Sequence, residues 1–110
     1  MFPKVDIPQI SAAELKAMLE GMEPVTVVDV RDDKDGEAGR IEVSLNIVLV
    51  ELMARFQEIP KGKKIVIVDL HGKQTLVTGR YLVSKGYTDI VRLDKGMKAG
   101  WIDAGYPVVK

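Results

Sequence analysis

Two uninterrupted β-branched runs, Val25-Thr26-Val27-Val28 leading into Asp29-Val30, and Ile65-Val66-Ile67-Val68, constrain this chain more than any other feature. A strand with one wet face alternates apolar and polar residues, whereas a run that is apolar at nearly every position has both faces covered, as in the parallel sheets of α/β folds. Segments of helical periodicity surround these runs. Ser11-Ala12-Ala13-Glu14 has the spacing of a capping box and predicts a helix over 12–20, with Leu15, Met18, Leu19 and Met22 on one stripe and Gly21 ending it. After a short extended piece at 44–48, Leu49, Leu52, Met53 and Phe56 form a second apolar stripe, closed by Ile59-Pro60 and the Lys61-Gly62-Lys63-Lys64 turn. A third helix over 75–84 carries Leu76, Val77, Tyr81 and Leu82 and ends at Gly86; Ile90-Val91-Arg92-Leu93 is a further strand, and 97–104 a last short helix. Strands alternating with helices of about ten residues predict a mainly parallel sheet with helices on both faces.

Length and charge narrow the function classes. At 110 residues, with no repeat, linker or low-complexity tract, the expectation is a single domain over 1–110. Hydrophobic residues make up 46% and charged residues 29%, which argues a soluble globular domain rather than a disordered segment or a coiled coil. Sixteen basic and sixteen acidic side chains cancel to zero net charge, so no long-range field draws in nucleic acid or an anionic membrane, and neither is an expected partner. No apolar run approaches a membrane span, and no basic start leads into an apolar stretch. A cytoplasmic location is the expectation, with a periplasmic protein whose leader has been removed as the alternative. The chain has no cysteine and one histidine. That removes disulfides, thiolate metal sites and thiol nucleophiles together, and no metal or cofactor is expected.

Ligands of parallel α/β sheets sit beyond the carboxyl ends of the strands. Two loops qualify, one after Val30 and one after Val68. The second, Asp69-Leu70-His71-Gly72-Lys73-Gln74, runs from a buried strand into a helix start, so its amides and the helix dipole converge on one small concavity that suits an anion. Gly72 permits the tight turn, and Asp69 points its carboxylate toward whatever the cradle holds. The plainer alternative is a helix entry with a capping aspartate, and His71 reads as a partly exposed loop side chain before it reads as a base or ligand.

At several separate places the chain resembles a single rhodanese-like domain, with a core of about 11–109. Val27-Val28-Asp29-Val30-Arg31 is similar to that family's hIDVRE strand; Gly39-Arg40-Ile41 and Leu45-Asn46-Ile47 are similar to its GHIPGAxNIP stretch. Gly86-Tyr87 resembles its GF/GY turn, and Leu93-Asp94-Lys95-Gly96, Trp101 and Gly105-Tyr106-Pro107-Val108 resemble its LxGGxxxW and GxPV segments. The resemblance implies a three-layer fold built on a mainly parallel five-stranded sheet. It also implies an active loop of the form CxxGxR followed by Ser or Thr, in which a thiolate holds sulfane sulfur as a persulfide within the amide cradle. The matching run here is Asp69-Leu70-His71-Gly72-Lys73-Gln74-Thr75, and only Gly72 and Thr75 keep the pattern. Asp69 stands at the nucleophile position and Gln74 at the arginine; the family's Gly-His has become Gly39-Arg40.

Sulfur transfer needs a polarizable nucleophile that accepts sulfur as S–S and releases it to another thiolate. A carboxylate cannot do this, and no other residue of this chain can replace the thiol. The expectation is therefore a catalytically inactive module for binding or regulation, with Leu70, His71, Lys73 and Gln74 presented to a protein partner whose identity is not written in the sequence. Asp69 supplies negative charge to the cradle from within, so thiosulfate, sulfate and phosphate bind weakly or not at all. Asp29, Arg31 and Arg40 are further candidates for facing the site, the first two reading first as a structural charge pair. Trp101, Tyr81 and Tyr106 read as packing, and Asp32, Asp33 and Asp35 as a solvated loop rather than a cation site. The alternative reading keeps an enzyme on the same fold, acting on small anions or by phosphoryl transfer, with Asp69 accepting a phosphoryl group and Asp29 or Asp32 holding magnesium. It lacks the usual second aspartate two positions on, where His71 stands.

Overall fold

The computed structural model describes residues 3–110. In chain order the elements are β1 (Gln9–Ile10), α1 (Ala12–Glu20), β2 (Val25–Asp29), α2 (Asp33–Gly36), β3 (Leu45–Asn46), α3 (Leu52–Arg55), β4 (Lys64–Val68), α4 (Thr75–Ser84), β5 (Ile90–Leu93) and a π-helical segment, Gly96–Ile102. The strands form a five-stranded sheet in the order β1-β5-β4-β2-β3, every adjacent pair parallel. The two β-branched runs lie side by side near its centre, with Val27 opposite Val66 and Val28 opposite Ile67.

Because successive strand side chains point to opposite faces, the two runs feed two cores at once. Ile65, Ile67 and Val28 enter one core with Leu52 of α3 and Tyr81 and Leu82 of α4. Val66, Val68 and Val27 enter the other with Ala12 and Leu15 of α1 and Met97 and Trp101 of the π-helical segment. The result is the expected three-layer α/β architecture. Ser11 starts α1 as predicted: its hydroxyl accepts from the Glu14 amide, and the Glu14 carboxylate accepts from the Ser11 amide, both at 3.1 Å. Trp101 is fully enclosed, donates from Nε1 to the Pro107 carbonyl at 2.8 Å and packs on Tyr106 with ring centres 5.0 Å apart.

Several sequence expectations need correction. β1 has too few residues to show a period, and its only mark is parallel pairing with β5. The helix expected from Leu49 is a single α-turn, α3, between two 3-10 turns, Leu49–Glu51 and Phe56–Glu58. Within this short turn Met53 is 72% exposed while Leu52 stays inside. Met22 is 89% exposed, since α1 has already ended and Met22 itself adopts φ +55°. Val77 faces out of α4, whose buried side is Thr75, Thr78, Gly79, Tyr81 and Leu82. The connection at 31–40 contains one helical turn, α2, and the last helix is π-wound.

Candidate functional site

The cleft forms where β2 and β4 end. Beyond Asp29, the Val30 amide still reaches the Val68 carbonyl at 3.0 Å, and the Leu49 amide reaches the Val30 carbonyl at 3.1 Å. These bonds bring three segments together around a cleft of about 450 Å³: residues 30–35, 49–50 and 69–74. A second hollow of about 280 Å³ lies on the α1 side, against Trp101 and Val108, away from this loop.

The loop after β4 is held by its main chain. The Met97 amide donates to the Asp69 carbonyl at 2.7 Å and the Lys98 amide to the Leu70 carbonyl at 3.0 Å. That approach requires glycine at 96, where φ is +71° and a Cβ would lie 2.5–2.6 Å from Leu70 O, Gly72 N and His71 N. Gly72 is matched to it, with φ +81° and a would-be Cβ 3.2 Å from the Lys95 amide nitrogen.

Within this frame the Asp69 side chain turns back on its own loop. Oδ1 accepts from the Gly72 amide at 2.5 Å and Oδ2 from the Gln74 amide at 2.8 Å, with the residue 3% exposed. Both carboxylate oxygens are engaged at the entry to α4, where the helix dipole favours negative charge. One step on, Thr75 is fully buried, and its Oγ1 is the buried side-chain atom left without a hydrogen-bond partner among the described residues. His71, Lys73 and Gln74 are exposed and, with the half-buried Leu70, line the cleft.

Asp29 and Arg31 form the buried pair read from the sequence. Arg31 donates to the Asp29 carboxylate through Nε and Nη2 at 2.7–3.1 Å, and to the Asp35 and Gly39 carbonyls at 3.2 and 3.0 Å. The pair stitches the end of β2 to the following loop. Arg31 lines the cleft and Asp29 does not. Arg40 is not brought to the cleft: its backbone bridges Val109, and its guanidinium lies over Gly36. Val50 and Asp35 line the cleft, although neither stood among the candidate site residues. The pairing of Leu49 with Val30 that places Val50 there has no local sequence signal. For phosphoryl transfer the arrangement is poor: both Asp69 oxygens already accept amides, Asp29 is committed to Arg31, and no group of three or more His, Asp or Glu residues able to hold a metal occurs among the described residues. No helix among the described residues is long and apolar enough to cross a membrane.

Comparison with known proteins agrees with this geometry. The family model for the rhodanese-like domain matches residues 11–103. A sulfurtransferase of Allochromatium vinosum is 30% identical over 101 residues, covering 92% of this chain and 94% of the relative. A thiosulfate sulfurtransferase, GlpE, of Pseudoalteromonas translucida is 30% identical over 90 residues, covering 82% of this chain and 85% of the relative. Among solved structures, a rhodanese-related protein from Thermoplasma volcanium superposes with a TM-score of 0.79 at 30% identity, covering 93% of this chain and 97% of that one. A rhodanese-like domain protein from Staphylococcus aureus superposes with a TM-score of 0.81 at 28% identity, covering 94% and 100%. A parallel five-stranded sheet, a strand-end loop folded around residue 69 and a family match over most of the length lead to one conclusion: this chain belongs to the rhodanese-like domain family.

Proposed function

We propose that this chain is a catalytically silent rhodanese-like module, a single binding or regulatory domain whose strand-end loop meets a protein rather than a sulfur donor. The observation that carries this reading is the seat of Asp69, an oxygen acid held by the Gly72 and Gln74 amides in a chain without cysteine. A carboxylate can neither accept sulfane sulfur as S–S nor pass it to a thiolate. An entering anion would meet a fixed negative charge within a few ångströms, a repulsion of about 1–4 kcal/mol at surface-like dielectrics. Leu70, His71, Lys73 and Gln74 then serve as contact residues, with Gly72 keeping the turn.

The test is a thiosulfate:cyanide assay on the parent chain beside Asp69→Cys. The parent is expected to show no turnover, and the variant weak turnover because the surrounding main chain is unchanged. Thiocyanate formation by the parent overturns the reading. So would an NMR titration in which thiosulfate or sulfate binds tightly with shifts centred on the Gly72 and Lys73 amides.

A further inference from the structure

The cleft has walls of opposite charge. Asp32 and Asp35 stand on the β2 side, Lys73 and the exposed His71 on the β4 side, and Leu49, Val50 and Leu70 are among the apolar residues of the lining. Two further charges line it but are already committed: Arg31 to Asp29, and Asp69 to two amides. Asp32, Asp35 and Lys73 have no ion-pair partner among the described residues. Asp32 also makes no side-chain bond to α2, although it occupies the N-cap position. Val50, beside these charges, is 89% exposed.

A strongly acidic or strongly basic partner would be attracted by one wall and repelled by the other. A surface carrying acid on one side, base on the other and apolar groups with them is its own complement under a two-fold axis, because each acidic wall then meets the other copy's basic wall. Zero net charge means that no long-range repulsion opposes the meeting of two copies. We propose that the cleft face is a docking surface for a second copy of this chain, placed by a two-fold axis through the cleft so that Asp32 and Asp35 face Lys73 of the partner. The proposal rests on the reading that this face binds protein, and it names the occupant. Exposed ion pairs of this kind contribute little each, so the dimer is weak and reversible.

Sedimentation equilibrium of the full chain, from about 10 µM to roughly 1 mM, reads the association directly. The weight-average mass is expected to rise from the monomer toward twice that value, and to fall back in roughly 1 M salt, where ion pairs are screened beyond about 3 Å. Lys73→Glu and Asp32→Lys, both at exposed positions, each place like charges across the axis and are expected to remain monomeric over the same range. An equimolar mixture of the two variants is expected to associate again. The mixed pair reverses both signs at one contact and leaves the native contact intact at the other, and a mass that levels off at twice the monomer marks a closed two-fold pair rather than an open head-to-tail chain. A parent chain that stays monomeric throughout, single variants that associate like the parent, or a mixture that fails to recover would each overturn the proposal. Thiosulfate:cyanide turnover, measured on the same samples, tests the silent-module reading separately from the mass.

Discussion

Replacing Asp69 by alanine removes a carboxylate that receives two amides, at 2.5 and 2.8 Å, while 3% exposed. A hydrogen bond to a charged group contributes about 1.5–3 kcal/mol, and a negative charge at a helix start adds about 0.3–1 kcal/mol. The sum of about 3–7 kcal/mol is an upper figure, because the cleft is open enough for water to reach the abandoned Gly72 and Gln74 amides. We expect Asp69→Ala to lose about 3 kcal/mol, or roughly 12 °C in Tm at about 4 °C per kcal/mol for a domain of this size. Asp69→Asn keeps the size and one acceptor but turns an NH2 toward the other amide, and should lose about half as much. Urea unfolding followed by circular dichroism measures both, with the m-value showing whether the native state has loosened. An alanine variant within about 0.5 kcal/mol of the parent at unchanged m would show that the amides are indifferent to the carboxylate, and the self-filled cradle would be refuted.

Three other perturbations follow from single contacts. Asp29→Ala strands the Arg31 guanidinium, whose side chain is 1% exposed, without its counter-charge; the expected loss is about 3–5 kcal/mol in urea unfolding, and the double change with Arg31→Met should lose less. Thr75→Val replaces a buried hydroxyl that has no partner with a group of the same shape, and should raise stability by about 1 kcal/mol; a loss in thermal unfolding contradicts this. Burial pushes the Tyr87 phenol above its ordinary value of 10.0, and its hydroxyl shares one proton between the Phe56 and Ile59 carbonyls at 2.9 and 2.7 Å. Folding therefore favours the protonated phenol. Its contribution is complete below about pH 10 and is lost as pH rises through the folded-state value, so unfolding followed at alkaline pH should show a decline that Tyr87→Phe diminishes, at a cost of about 1 kcal/mol on the neutral plateau.

Residues that act through period or local chemistry were legible in the sequence. Val27, Val28 and 65–68 declare a strand covered on both sides, Ser11 and Glu14 declare a helix start, and the alternation of elements declares the layers. The loop after Val68 was also legible, since a glycine and an acid between a buried strand and a helix have few ways to fold. Contacts between distant segments were not. Val50 reaches the cleft only because the Leu49 amide meets the Val30 carbonyl, and Arg40 leaves it because its backbone pairs with Val109. Met53 and Val77 fit an ideal 3.6-residue stripe, but the first sits in a single α-turn that buries only Leu52 and the second on the outward side of α4.

The bonds from Met97 and Lys98 grip carbonyls at 69 and 70, groups that every amino acid brings. The start of the turn is thereby held by groups that no substitution at 69 removes, while the Asp69 carboxylate secures its later part through Gly72 and Gln74.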